Sequence, residues 1–330
     1  MSTDETALQV PAQSIPVPKS ISPQGQAFLA AAAKRINAMQ KMGPGAEKPA
    51  PDQNAAAATA LQFLAPLAKN FKGTAETIAL PHGAKLYRTT PEGRTGRRAE
   101  VAYFDIHGGG FTSGGGEMCQ TLTKLRALDY GVEVFAVDYR LAPDHAFPAG
   151  LDDCMAAYRE VLKHHKPADI VVGGASAGGN LAAALMLRAR DEGLPLPAAL
   201  LLLTPAVDFT GSGDSRHTNR LLDANLYGGG GGGPEAYAGN ADRKHPYLSP
   251  LFGDFTKGWP PTILTSGTRD FLLSDTVCMH RALRRAGVKA ELHISEASPH
   301  GGFMGANAPE DTEIIAECRR FGYTAWGIEN

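Results

Sequence analysis

The chain lacks most of the features that assign a protein to a specialised class. Its four cysteines, Cys119, Cys154, Cys278 and Cys318, lie far apart, with neither C-x-x-C spacing nor histidine companions. That spacing argues against a zinc site and fits a reduced, intracellular setting. Neither sign of charge dominates. The formal net charge is −2, which leaves no broad basic surface for nucleic acid or anionic lipid. No uninterrupted apolar run reaches the roughly 18 residues needed to span a bilayer. The opening Met1-Ser2-Thr3-Asp4-Glu5 is acidic and no apolar core follows it, so no secretory signal is expected. These exclusions leave a cytoplasmic globular protein with no metal and no cofactor as the expectation. At 330 residues the chain is long enough to bury a sizeable core, as one large domain or two modest ones.

The order of local patterns narrows this further. Residues 1–24 are rich in Pro, Ser and Gln and read as an extended arm. A helix is expected near 26–42, with Phe28, Leu29, Ile36 and Met39 as its larger apolar residues, stopping at Gly43-Pro44-Gly45. A Pro/Ala linker and a second helix near 54–70 follow. Beyond residue 75, apolar runs alternate with helical stretches. Strands are expected near 76–80, 85–88, 99–106, 133–139, 169–172, 199–203, 262–266 and 290–294. Helices are expected near 151–164, 177–192, 275–285 and 310–325. Runs such as Leu200–Leu203 are apolar throughout, which implies burial on both faces and a mostly parallel sheet between helical layers. The segment 208–245 breaks the rhythm. It contains six consecutive glycines, 228–233, and reads as an insertion with a mobile loop. A phosphate-binding loop is excluded there, because Pro234-Glu235-Ala236 stands where Lys-Ser/Thr would be needed.

The chemistry concentrates in two glycine clusters. Gly174-Ala175-Ser176-Ala177-Gly178 matches G-x-S-x-G between an expected strand and an expected helix. In such a turn the serine is held in a strained conformation, and the helix N-terminus points free N–H groups and a positive dipole end toward it. A plain Gly-rich turn with an N-capping serine fits the same residues. The second cluster, His107-Gly108-Gly109-Gly110-Phe111, directly follows the expected strand that ends near residue 106. Three glycines there expose backbone N–H groups of the kind that stabilise a developing oxyanion.

HGGGF, then DYRLAPDHAFPA at 138–149, then GASAGGN together resemble the hormone-sensitive-lipase-like branch of the α/β-hydrolase fold, bacterial esterase family IV. The resemblance runs from about residue 75 to the C-terminus. It implies an eight-stranded, mostly parallel sheet flanked by helices, with residues 76–330 as the catalytic core. It also implies a helical cap built from residues 1–75 and an insertion at about 208–246. The implied oxyanion donors are Gly109, Gly110 and Ala177, with His107 and Gly108 supporting the loop. One departure is Ala175, where relatives often carry Asp or Thr.

A serine hydroxyl needs a base. His293 lies inside an alternating strand and reads as structural. His164 and His165 sit near a helix C-terminus, and the ring of His107 is expected to brace its turn. His300 follows the last expected strand, at the sheet edge where Ser176 also emerges, and is the candidate base. Asp270, just beyond the strand near 262–266, is the candidate acid, and the resembled family places its acid in a G-x-x-D-x-L element matched by Gly267, Asp270 and Leu272. Asp275, at a helix start, and Asp208 are the rivals. Asp138, Arg140, Asp152 and Asp153 read as one ion-pair network. The order Ser176, Asp270, His300 fits an α/β-hydrolase triad. The expected activity is a serine carboxylesterase acting on small to medium acyl esters. A lactone or amide hydrolase would use the same groups, and a non-catalytic small-molecule receptor is the reading from another class. The resemblance further implies a homodimer.

Overall fold

The computed structural model describes residues 6–41 and 53–329. The expected helix stop at Gly43-Pro44-Gly45 and the Pro/Ala linker lie outside the described residues. Eight strands form one sheet: β1 (Gly73–Ala79), β2 (Lys85–Pro91), β3 (Ala102–Ile106), β4 (Glu133–Asp138), β5 (Ile170–Ala175), β6 (Ala199–Leu203), β7 (Thr262–Gly267) and β8 (Ala290–Ser295). Their spatial order is β1-β2-β4-β3-β5-β6-β7-β8. The pairs β1–β2 and β2–β4 are antiparallel and all others parallel. The helices are α1 (Pro23–Lys41), α2 (Gln53–Ala68), α3 (Glu117–Tyr130), α4 (Ala149–His164), α5 (Ala177–Asp191), α6 (Ser215–Thr218), α7 (Gly233–Ala238), α8 (Leu273–Arg285) and α9 (Pro309–Trp326).

The apolar strands are buried on both faces because successive residues feed two separate cores. Tyr103, Val134, Val171 and Leu201 pack with Tyr130 of α3 and with Phe321 and Trp326 of α9. Their neighbours Phe104, Phe135, Val172 and Leu202 pack on the opposite side with α4, α5 and α8. Helix α3 was not among the expected helices. Its buried positions are Cys119, Thr121, Thr123, Ala127 and Tyr130, small or polar residues that give no clear apolar stripe.

The strand order places the site. The chain runs from β3 outward to β4, then returns across β3 to β5, so the direction of winding reverses between β3 and β5. In an open parallel sheet, the loops at the C-terminal ends of two such strands diverge and leave a crevice. Ile106 at the end of β3 pairs with Gly174 on β5, so both glycine clusters leave the sheet side by side.

Outside the sheet, α1 packs on the C-terminal part of the chain. Phe28 meets Phe303 edge-on at 5.8 Å. Ser22 donates from its N–H and its hydroxyl to the Glu310 carboxylate at 2.6 and 2.8 Å. The segment before α1 carries no helix or strand over residues 6–16 and is exposed there. The insertion carries only the short helices α6 and α7. Its glycine run includes a close approach that the sequence did not signal. Gly233 is buried, and a Cβ added there would lie 2.3 Å from the carbonyl oxygen of Gly110.

The expected network around Asp138 is divided in three. Asp153 is buried and accepts from Arg140 through both the backbone N–H (2.8 Å) and the guanidinium (2.9 Å). Asp152 pairs instead with Arg188 at 2.5 Å. Asp138 accepts from the Tyr87 hydroxyl at 2.7 Å and the Gly116 N–H at 3.1 Å. The spacing along α4 explains the split: consecutive residues 152 and 153 point in different directions around a helix.

At the opposite end of the sheet, Glu133 is buried and accepts from Thr90 (2.7 Å), Arg88 (3.1 Å) and His165 (2.6 Å). Burial pushes its carboxyl up, but hydrogen bonds from His165, Thr90 and Arg88 outweigh that and bring it down to about 2, from an ordinary 4.5. A depressed carboxyl stabilises the fold above its unfolded value and loses that contribution as pH falls through the folded value. Denaturant titrations between pH 5 and 2 are therefore expected to show a loss on the order of 3 kcal/mol from this group. Glu133→Gln is expected to flatten that part of the profile.

Candidate active site

Ser176 is the single residue between β5 and α5, with φ 56° and ψ −117°. A side chain at positive φ costs about 1–3 kcal/mol, so the surroundings must hold it there. The Ser176 N–H donates to the Leu203 carbonyl at 2.9 Å, and its own carbonyl accepts from Asn180 at 3.1 Å and Ala206 at 3.2 Å. The two motif glycines are required sterically. A Cβ at Gly174 would lie 2.2 Å from the Gly178 carbonyl oxygen, and one at Gly178 would lie 1.9 Å from that of Ile106. Strand, turn and helix therefore touch backbone to backbone, and the first turn of α5 stands directly behind the serine.

The His107–Phe111 loop lies against this turn, since a Cβ at Gly108 would lie 2.8 Å from the Ala175 carbonyl oxygen. Its carbonyls are tied inward. That of His107 accepts from the Tyr139 hydroxyl at 3.0 Å. That of Gly108 meets Nδ1 of His107 at 2.7 Å, and that of Gly109 accepts from the N–H groups of Thr112 (3.1 Å) and Ser113 (3.0 Å). In a trans peptide the N–H points opposite to the carbonyl before it. The N–H groups of Gly109 and Gly110 are thereby turned away from the partners holding the Gly108 and Gly109 carbonyls. A carbonyl only accepts, so Nδ1 of His107 carries the proton. Burial holds the His107 pKa below its ordinary value, and the ring stacks on Tyr139 with centroids 4.2 Å apart.

His300 brings the distant parts together. Its Nε2 is 2.9 Å from Ser176 Oγ and its Nδ1 is 3.0 Å from Asp270 Oδ1. Asp270 is fully buried. Its Oδ1 also accepts from the Leu272 N–H at 2.8 Å, and its Oδ2 accepts from the Ser266 hydroxyl at 2.7 Å. Burial raises the Asp270 pKa, but the charge and hydrogen bond of His300, together with Ser266 and Leu272, bring it below the ordinary carboxylate value. For His300 burial acts downward, and the Asp270 charge and hydrogen bond overcome it, so its pKa lies above 6.5. Nδ1 therefore donates to an ionised carboxylate, and Nε2 of the neutral ring accepts from the serine hydroxyl.

The two rival carboxylates are engaged elsewhere. Asp275 accepts from Arg216 at 2.8 Å and from the Asp208 N–H at 3.0 Å. It is a buried ion-pair partner of the insertion, not merely an acid complementing a helix dipole. Asp208 accepts from Thr210 (2.7 Å) and Ser212 (2.9 Å) within its own loop. His293 sits on β8, with Nε2 3.5 Å from Glu291.

Four residues in contact with this arrangement escaped the sequence reading. Ser266 lies inside β7. Asn219, Asp223 and Asn225 come from the insertion. Asn219 donates to the carbonyls of Thr268 (3.1 Å) and Asp270 (2.8 Å), and Asn225 to those of His300 (2.7 Å) and Gly302 (3.0 Å). Asp223 accepts the N–H groups of Phe271 at 2.8 Å and His300 at 3.3 Å. In sequence they are ordinary loop-forming Asn and Asp residues, and only the tertiary fold shows what they bind.

Comparison with known proteins agrees with this architecture. A family model described as alpha/beta hydrolase fold matches residues 103–304. The chain is 36% identical over 191 residues to an acetyl-hydrolase of Streptomyces hygroscopicus, a match covering 56% of this chain and 61% of that protein. The chain thus spans under two thirds of that relative's length. The crystal structure of an esterase superposes with a TM-score of 0.82 at 30% identity, covering 97% of this chain and 99% of the other. The crystal structure of an esterase from the bacterial hormone-sensitive lipase family gives 0.75 at 27% identity, covering 92% and 99%.

The backbone clearances give a direct stability test. Gly178→Ala places a methyl group where the Ile106 carbonyl oxygen stands, and overpacking of this kind is expected to cost at least about 1–3 kcal/mol in urea denaturation. Ala177→Gly, which removes a buried methyl and needs no such clearance, is expected to cost less.

Proposed function

The chain belongs to the alpha/beta hydrolase family, among esterases of the hormone-sensitive-lipase type, and on that footing we propose that it is a serine carboxylesterase with Ser176, His300 and Asp270 as its triad. The observation that carries the reading is the single imidazole within hydrogen-bond distance of both Ser176 Oγ (2.9 Å) and Asp270 Oδ1 (3.0 Å). Nε2 of His300 takes the hydroxyl proton as Oγ attacks the ester carbonyl, and Asp270 stabilises the imidazolium that forms. The N–H groups of Gly109, Gly110 and Ala177 receive the developing oxyanion. All three belong to peptides whose carbonyl ends, those of Gly108, Gly109 and Ser176, are pinned, so they are oriented before substrate arrives. The proton on Nε2 then passes to the leaving alcohol as the tetrahedral intermediate collapses to an acyl-Ser176 ester. Water, deprotonated by the same nitrogen, attacks that ester and releases the acid.

The substrate in this reading is a small or medium soluble ester, held under a cap formed by α1 and the insertion at about 208–246. Support for the cap comes from Arg35 of α1, which donates to the Ala224 carbonyl at 2.7 Å, and from Gln40, which donates to the Tyr227 hydroxyl at 2.9 Å. Similarity to a protein named as an acetyl-hydrolase supports short acyl groups in this reading. The reading includes a homodimer, for which sedimentation is the test, and a cytoplasmic location, which fits the free thiols at 119, 154, 278 and 318. Among the described residues no helix is long and apolar enough to cross a membrane.

Ser176→Ala is expected to lower kcat on p-nitrophenyl esters by at least about 10³-fold, and a phosphonate ester is expected to label Ser176 and no other residue. Retention of full activity in Ser176→Ala sinks the reading. The base must be neutral to act, so kcat/KM is expected to fall on the acid side in a single-proton step with its midpoint above 6.5, in the direction of the raised His300 pKa.

A further inference from the structure

Asp223 is fully buried, although nothing in the hydrolytic cycle uses it. It lies in the insertion, after α6 and before the glycine run. Its carboxylate accepts four backbone N–H groups: Asn225 (2.9 Å) and Leu226 (3.0 Å) of its own turn, Phe271 (2.8 Å), and His300, 3.3 Å from each oxygen. All four partners are donors, the set that an ionised carboxylate accepts. Phe271 directly follows Asp270. One side chain thus holds the backbone of the base itself and the backbone next to the acid. Two amides of the same segment complete the grip from the other side, Asn219 on the Asp270 carbonyl at 2.8 Å and Asn225 on the His300 carbonyl at 2.7 Å.

We propose that Asp223 is the positioning residue of the triad: as a carboxylate it fixes the Asp270 and His300 loops at their working separation, and its charge favours the imidazolium that forms at His300. This rests on the assignment of His300 as base. Two effects follow from the geometry. Loss of the carboxylate frees two loops that carry separate halves of one hydrogen bond, and a small displacement there is costly in rate. Loss of the charge removes a nearby anion from a site from which water is largely excluded, where it is weakly screened.

The other charges around His300 are accounted for. Asp270, from the loop after β7, bonds Nδ1 directly. Asp275 of α8 is paired with Arg216, and Asp311 of α9 accepts the Phe303 N–H at 3.1 Å. The charges of Asp270, Asp223 and Asp275 all act on His300 in the upward direction, with burial opposing them. Asp223 is itself pushed up by burial, and the His300 charge and the N–H groups of Phe271 and Leu226 act in the opposite direction.

The test compares Asp223→Asn and Asp223→Glu with the parent enzyme on a p-nitrophenyl ester, reading kcat, KM and the pH profile of kcat/KM, with thermal midpoints measured alongside. For Asp223→Asn the expectation is a kcat lower by about 10- to 100-fold with KM within about threefold, and an acid limb displaced to lower pH. Asp223→Glu keeps the charge but displaces it by one methylene, so a lowered kcat with the acid limb near its parental position is expected. The proposal is overturned if Asp223→Asn keeps kcat within about twofold, or if activity falls only with the folded fraction while the acid limb stays in place. Should Asp223→Asn not fold, Asp223→Glu decides, and an unchanged kcat there overturns it. Ser176→Ala separates the two levels: its activity tests the hydrolase reading, and an inactive Ser176→Ala beside an unaffected Asp223→Asn leaves that reading standing without this proposal.

Discussion

The constraint on which the site depends is the absence of side chains where β3, β5 and α5 meet. Methyl groups at Gly174, Gly178 or Gly108 would stand 2.2, 1.9 and 2.8 Å from backbone carbonyl oxygens. Because those positions are bare, the helix starts directly behind Ser176, and the His107–Phe111 loop lies against the turn that carries it. The positive φ of Ser176 is the outcome of that crowding. Everything else in the site is arranged around a hydroxyl held at one place by backbone contact.

How much of this was legible follows from how local each signal is. The Ser176 turn and the His107 loop could be read because their glycines are consecutive or flank the serine two positions to either side, beside strands with strong apolar runs. Asp270 and His300 were placed by position, each just past a strand end, and the structure brings them within 3.0 Å of each other. Helix α3 was missed because Cys, Thr and Ala fill its buried face. Of the network expected around Asp138, the buried Arg140–Asp153 pair is present while Asp152 turns to Arg188, because adjacency in sequence says little about direction around a helix. Asp275 looked like a helix-start acid and is a buried partner of Arg216. Asn219, Asp223 and Asn225 were beyond reach of sequence reasoning, because the backbone groups they hold on the Asp270 and His300 loops lie 48 to 77 positions away.

Those three side chains change the view of the insertion. A segment with two short helices and a run of glycines looks expendable, and its chain of polar residues looks solvated. Instead it satisfies the carbonyls and N–H groups of two loops that have no strand partner of their own. A buried backbone group left without a partner costs about 1–3 kcal/mol. Loops able to hold functional side chains at a sheet edge are short of such partners by nature, and here the insertion supplies them. Gly233 adds a backbone contact on the other side of the site, against the carbonyl of Gly110.

The hydrogen bonds from Ser22 to Glu310 join positions 288 apart along the chain. During synthesis, Ser22 leaves the ribosome long before Glu310 is made, so α1 must pass through translation without its eventual partner. Its buried residues Leu29 and Ala32 belong to a cluster with Phe303 and Ala308 that is completed only near the end of elongation. Contacts of such separation are slow to form and leave apolar surface uncovered in the interval. The apolar face of α1 therefore stays without its native cover through most of the chain's making.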